Sequence, residues 1–235
     1  MAYKHGVYTS EVPTSVVPAV NTTAGLPVVF GTAPVHLASE RAQTNKPILC
    51  YSYAEAVQQL GYSKDWAKYT LCEVMYSQFA LYNRGPVVFV NVLDPKTHKK
   101  STSSKNVTVT NKVAKVDAPV LLDTLQIKAS TAGSALIAGS DYEAAYDDDG
   151  VLVITLLDDG TATAASNLTL TYDEIDVAAV DADDIIGGIN VSDGSVKGLE
   201  CLNKVFPVTG LVPGIVLAPG WSETPTVAAV MKATA

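Results

Sequence analysis

The chain has 235 residues, enough for one or two domains, and 48 % of them are apolar, which allows a substantial buried core. With 16 Lys+Arg against 24 Asp+Glu, the formal net charge of −8 argues against nucleic-acid binding through phosphate neutralisation. No apolar run approaches the about 20 residues that cross a bilayer, and residues 1–10 lack the pattern of a signal peptide. Composition therefore favours a soluble protein that stays in a cytoplasm and does not insert into a membrane.

Residues 1–24 are predicted to form an extended N-terminal arm. Valine, threonine, serine and proline dominate this segment, and it has no helical period. Because it cannot bury its apolar side chains by itself, it is either an edge strand of its own domain or a strand added to the sheet of a neighbouring subunit. The candidate subunit-interface residues of the arm are Gly6, Val7, Tyr8, Glu11, Val12, Pro13, Val16 and Val17.

Helices and strands alternate in residues 25–99 and 191–235, so these two ranges are predicted to form one α/β layered core. The strands are apolar on both faces, as in a sheet that is covered by helices. They are predicted at residues 26–30, 47–50, 86–92 and 215–218.

Two helices are predicted between the second and third of these strands. In the first, residues 53–60, Ser52 is the N-cap, Glu55 stands at the third position, and Gly61 ends the helix in a left-handed conformation. In the second, residues 70–82, apolar side chains recur at helical spacing behind a capping box of Thr70 and Glu73.

Two more helices are predicted near the end of the chain. One carries an apolar stripe of Val196, Leu199, Leu202 and Phe206. The other begins at the pair Thr224–Pro225 and runs to Ala235 without a stop signal, which suggests that the natural protein continues.

The acidity of the chain belongs to residues 100–190, which hold 5 Lys against 15 Asp+Glu. Alternating or continuous apolar runs at 106–110, 151–157 and 169–172 predict short strands, with turns at Asp149–Gly150 and Asp159–Gly160. This range is therefore predicted to be a small all-β domain inserted into the α/β core.

No catalytic, cofactor-binding or metal-binding residue is predicted. The motifs GxSxG, GKS/T, GxGxxG and HExxH are absent, and the turn after residues 26–30 lacks the further glycines of a dinucleotide site. The three histidines, His5, His36 and His98, have no acid or thiol at ligand spacing, and the acidic turn at residues 147–150 does not fit a calcium loop. Cys50, Cys72 and Cys201 are expected to be buried free thiols.

The order of several segments resembles the N-terminal half of contractile tail sheath proteins of myophages, phage-tail-like bacteriocins and related injection systems. No single motif is diagnostic, and His5 stands where such arms often have proline. The segments are Gly6-Val-Tyr-Thr-Ser-Glu-Val-Pro13, Leu26-Pro-Val-Val-Phe-Gly31-Thr-Ala, Asn45-Lys-Pro47 with Ser52-Tyr-Ala-Glu-Ala-Val and Leu60-Gly61, Phe79-Ala-Leu-Tyr-Asn-Arg-Gly85 with the strand after it, and Gly198-Leu to Leu217-Ala-Pro-Gly220.

The resemblance implies a structural subunit without enzymatic activity or cofactor. Such subunits stack as rings around an inner tail tube protein, attach to a baseplate, assemble in the bacterial cytoplasm, and contract to drive the tube through a cell envelope. The C-terminal domain that receives neighbouring arms in this family has no counterpart within the 235 residues.

Two other classes of function stay open. The acidic β region and the Asn-x-Ser/Thr sequons fit a surface adhesion module, and a secretion signal on the full gene would favour it. A small-molecule enzyme on an α/β core is suggested by fold type alone.

Overall fold

The computed structural model describes residues 25–234, which contain both helices and strands in several sheets and confirm the α/β class. The helices are α1 (Tyr53–Leu60), α2 (Thr70–Met75), α3 (Ala182–Ile186), α4 (Leu202–Thr209) and α5 (Pro225–Thr234). The strands are β1 (Pro27–Gly31), β2 (Ile48–Cys50), β3 (Val87–Asn91), β4 (Lys99–Thr108), β5 (Val113–Val116), β6 (Gln126–Lys128), β7 (Tyr142–Tyr146), β8 (Leu152–Leu156), β9 (Asn167–Ile175), β10 (Gly188–Ile189), β11 (Val196–Lys197) and β12 (Ile215–Leu217).

The core sheet has the strand order β12-β1-β3-β2, and its four strands lie where the sequence predicts them. Strand β1 runs parallel to both β12 and β3, whereas β2 is antiparallel to β3. Every residue of β1 and β3 is buried, as expected for central strands covered on both faces.

Helix α1 has the predicted caps. Ser52 Oγ accepts a hydrogen bond from the Glu55 backbone N–H (3.2 Å), and the Glu55 carboxylate accepts one from the Tyr51 N–H (2.9 Å). At the other end, Gly61 has φ +73° and donates its N–H to the Val57 carbonyl (2.8 Å). Local sequence therefore sets both ends of this helix.

The second predicted helix differs from the expectation in two ways. It is α-helical only over α2 and continues as a π-helical segment over Tyr76–Leu81. The capping box was wrong: Tyr69 precedes the helix without a side-chain cap, and the Thr70 hydroxyl accepts from the Thr32 N–H (3.3 Å) instead. A long-range bond to the end of β1 has replaced the local one.

Residues of β4 to β9 form two three-stranded antiparallel sheets, ordered β4-β9-β6 and β5-β8-β7. They enclose a second hydrophobic cluster, separate from that of the core sheet, with Ile127, Ile154 and Leu170 fully buried. The predicted turn at Asp149–Gly150 connects β7 and β8, with Gly150 at φ +79°. We call residues 99–175 the β unit.

The chain enters and leaves the β unit at neighbouring points. Lys99 pairs with Ile175 across strands, and the Asp176 N–H donates to the His98 carbonyl (2.9 Å). Residues 177–190, which fall within the range predicted for the insertion, lie elsewhere: Val180 and Ile185 are buried in the cluster of the core sheet. The division into domains remains a prediction.

The helix predicted to carry the apolar stripe of Val196, Leu199, Leu202 and Phe206 differs from the expectation. Val196 lies in β11, a 3₁₀ turn covers Gly198–Cys201, and α4 buries Val205, whereas Phe206 is 58 % exposed. Gly198, at φ +57°, prevents a continuous helix from starting at residue 196. The last helix, α5, begins at Pro225 as predicted.

Candidate assembly surfaces

The predicted arm, residues 1–24, lies outside the described residues, and so do all eight of its candidate interface residues. The structure does show where the arm joins the core. The Leu26 carbonyl, just before β1, accepts hydrogen bonds from the N–H groups of Gly214 (3.0 Å) and Ile215 (3.3 Å). Leu26, the second of the described residues, therefore lies beside β12, the strand at one edge of the core sheet.

This edge of the core exposes apolar groups that the sequence analysis did not single out as a surface. Strand β12 pairs with β1, and within residues 25–234 it has no strand on its other side. Four large apolar side chains within ten residues of one another are exposed, an arrangement typical of interaction surfaces. They are Phe206, Val208, Val212 and Ile215.

A second exposed surface is aromatic. The rings of Trp66 and Tyr76 lie 5.6 Å apart, and Trp66 Nε1 donates to the hydroxyl oxygen of Tyr62 (3.3 Å). Tyr62 in turn contacts Tyr53, with 5.4 Å between the ring centroids. Trp66 and Tyr76 are both more than one third exposed. Aromatic side chains held this way have little conformational entropy left to lose and are enriched in protein interfaces.

The carboxyl end of β1 is where an open α/β sheet would bind a nucleotide, and here its backbone donors are already used. The Thr32 N–H donates to Thr70 Oγ1, and the Ala33 N–H donates to Asn91 Oδ1 (3.1 Å). A Cβ on Gly31 would lie 2.3 Å from Thr70 Oγ1, so α2 packs directly on this turn. The geometry offers no cradle for phosphate at this point.

The three thiols are buried and pack as small apolar groups. Burial raises the pKa of both Cys50 and Cys72 to about 12, and that of Cys201 to about 11. The Cys201 thiol donates to the Asn45 carbonyl (3.2 Å). Thiols with such high pKa values hold their protons at neutral pH, which does not fit a nucleophile.

Two of the three histidines lie within the described residues, and each contacts the β unit or its junction. His36 lies between Tyr69 of the core and Tyr146 of the β unit, with ring centroids at 6.0 and 5.4 Å. Burial, with a smaller effect of the Arg41 charge, lowers the pKa of His36 to about 4. His36 is therefore neutral at pH 7.

His98 connects the junction of the β unit to α3. Its Nδ1 accepts from the Asp94 N–H (2.9 Å), so the ring proton of the neutral form belongs on Nε2. Nε2 lies 3.3 Å from a carboxylate oxygen of Asp184, which also accepts from the Asp181 N–H (3.1 Å). Among residues 25–234, no three His, Cys, Asp or Glu side chains are grouped to hold a metal ion.

Several carboxylates of the β unit shape its turns. Asp141 accepts from the N–H groups of Ile137 and Thr161, both at 2.8 Å, and these bonds hold its pKa below the ordinary value. Asp147 accepts from the Val151 N–H (2.9 Å), with the same effect on its pKa. Much of the acidity that distinguishes this region therefore has a structural role.

A cleft of about 1,210 Å³ lies between the core and the β unit. The core wall includes Lys64 and Trp221, and the wall of the β unit includes Asp117, Asp148 and Asp149. The cleft has no signal in the sequence, because its walls come from several segments that are far apart in the chain.

The comparisons with known proteins agree with the resemblance drawn from the sequence segments. The chain is 29 % identical over 239 residues to the tail sheath protein of Burkholderia phage BcepMu, an alignment that covers 99 % of this chain. It covers 46 % of that phage protein, so the chain spans about half the length of this curated relative. No family model matches. The predicted similarity to tail sheath proteins, bacteriophage components with a structural role, is confirmed.

Proposed function

We propose that this chain is a structural subunit of a contractile tail sheath. The observation that carries the proposal is the alignment with a phage tail sheath protein over 99 % of the chain. The structure supports a structural role, because the phosphate position at β1 is filled and the thiols are protonated. Within residues 25–234, no helix has the length and apolar character needed to cross a membrane.

The partners proposed for the subunit are further copies of itself in stacked rings, an inner tail tube protein and a baseplate. Oligomeric assembly around a tube fits the relative's name, and the surfaces on the edge beside β12 and around Trp66 are suited to contacts between copies. The assembled particle would be the tail of a phage or a tail-like particle, built in the bacterial cytoplasm. Contraction would draw its energy from repacked subunit interfaces, since two packings can differ by a few kcal/mol per subunit.

The arm is proposed to connect neighbouring subunits. Val7, Tyr8 and Val12 are apolar, and strand addition would give them side-chain pockets in addition to main-chain hydrogen bonds. In support, Gly25 is exposed, and Leu26 lies beside β12 at an edge of the core sheet.

Deletion of residues 1–20 from the full-length protein tests this role. We expect a folded monomer by circular dichroism and no tubular polymers by electron microscopy. A matched control keeps the arm but replaces Val7 and Val12 by threonine, which preserves β propensity and removes apolar contact; polymers should form more weakly. Normal tubes from the deleted protein would refute the linking role, and an unfolded monomer would assign the arm to its own domain.

A further inference from the structure

The cleft between the core and the β unit is lined by charged side chains of both signs. Among residues 25–234, Lys68 is paired with Asp65 and Lys100 with Glu174, whereas Asp176 at the junction has no ion-pair partner. On the core wall, Lys64 has no ion-pair partner among residues 25–234. On the opposite wall, the carboxylates of Asp117, Asp148 and Asp149 have no ion-pair partner in the same range. Opposite charges facing each other across a cleft attract more strongly as water leaves it.

The core side of the cleft also contains buried polar atoms without hydrogen-bond partners. These are Nδ1 of His36 and Nε1 of Trp221. His36 is only 8 % exposed, and both side chains line the cleft. Buried polar groups are almost always paired, and the present contacts between the core and the β unit do not supply partners for these two atoms.

The covalent connection of the β unit to the core is confined to one place. Two adjacent chain segments join it to the core, and a backbone hydrogen bond from Asp176 to His98 holds them together. Away from this junction, contact between the two bodies includes Leu121, which is buried in the cluster of the core sheet, the ring of Tyr146 on His36 and the approach of Gly150 to Leu37. Paired segments at one edge and small contacts at the other are the features of a hinge.

We propose that the β unit closes onto the core about the junction at residues 98–100 and 175–177. In the closed arrangement the Asp148–Asp149 turn approaches Lys64 and supplies acceptor oxygens to this side of the cleft. The cleft narrows, and Trp221 loses its contact with water. This closure goes beyond the proposed sheath function and does not depend on it.

Fluorescence of Trp221 in the monomeric 235-residue chain tests the closure. The chain has two tryptophans, so Trp66→Phe leaves Trp221 as the single reporter. Acrylamide quenching is measured in this background for Lys64→Glu and for the triple variant that adds Asp148→Lys and Asp149→Lys. Closure predicts stronger quenching, by about twofold, in Lys64→Glu, and recovery in the triple variant, where the charges are exchanged.

The matched control places the same charge change away from the cleft. Asp123→Lys with Asp159→Lys alters two exposed carboxylates of the β unit that do not line the cleft, and quenching should not change. High salt should increase quenching in the parent, because salt screens the attraction, and should decrease it in Lys64→Glu, where salt screens a repulsion between like charges. Circular dichroism checks that each variant is folded. Equal quenching in the parent and Lys64→Glu, or failure of the exchanged charges to restore protection, would overturn the proposal.

Discussion

At the residue scale, the pKa of His36 depends on tertiary surroundings that the sequence around it does not indicate. His36 follows the first core strand, and the tertiary structure buries it between Tyr69 and Tyr146. The nearby Arg41 guanidinium opposes protonation as well. A histidine that is neutral in the folded protein and titrates normally when unfolded makes stability depend on pH.

We expect the free energy of unfolding to fall as the pH is lowered from about 6.5 towards 4. In this range His36 binds a proton in the unfolded chain but not in the folded protein. The full effect is of the order of 3 kcal/mol for a pKa lowered from 6.5 to about 4. Thermal unfolding between pH 7 and 4 measures it, and His36→Leu should flatten the curve. Asp141 and Asp147 have lowered pKa values and lose their contribution at still lower pH. An identical curve for His36→Leu would contradict the assignment.

At the scale of elements, the connection between β1 and α2 depends on two threonines. Thr32 Oγ1 accepts from the Thr70 N–H (3.2 Å) and donates to the Lys68 carbonyl (2.6 Å), while Thr70 Oγ1 accepts from the Thr32 N–H. The Leu71 N–H donates to the Thr32 carbonyl (3.0 Å). These bonds satisfy the first backbone donors of α2, which a local cap would otherwise have to do.

Thr32→Val should destabilise the protein by about 1–3 kcal/mol, because it keeps the shape of the side chain but leaves the Thr70 N–H and Lys68 carbonyl without their partner. Thr32→Ser retains the hydroxyl and should cost less. Chemical denaturation of the two variants measures the difference in the free energy of unfolding. Equal losses would mean that the methyl group contributes as much as the hydroxyl, against the role assigned to the hydrogen bonds.

At the scale of the whole molecule, the bounds of the β unit determine which residues can be replaced by a linker while the core stays folded. Lys99 and Ile175 are paired, so a short Gly/Ser linker in place of residues 100–174 can close the core. We expect that protein to unfold in one sharp thermal transition. Replacement of residues 100–190 also removes Val180 and Ile185 from the core, with a cost of about 2–5 kcal/mol for Ile185 alone. A sharp transition at the same temperature in both proteins would show that residues 177–190 contribute nothing to the core.

Local sequence was enough to predict those parts of the fold that depend on local interactions. The four core strands are continuous apolar runs, and Ser52, Glu55 and Gly61 determine both ends of α1 within ten residues. The similarity to tail sheath proteins could also be recognised from the order of short segments, because related chains keep such segments in the same order. The arm was predicted from its composition and stays a prediction.

Long-range contacts determine the features of the fold that local sequence did not predict. The Thr70 N–H at the start of α2 donates to Thr32 Oγ1, 38 residues away. The Gly198 N–H donates to Asn45 Oδ1, 153 residues away. No local sequence pattern could reveal either hydrogen bond. Ile185 belongs to the core although its acidic surroundings resemble the β unit, because burial depends on which surfaces meet and not on the composition of neighbours. The cleft, with Lys64 on one wall and Asp148 on the other, exists only once the two bodies are folded side by side.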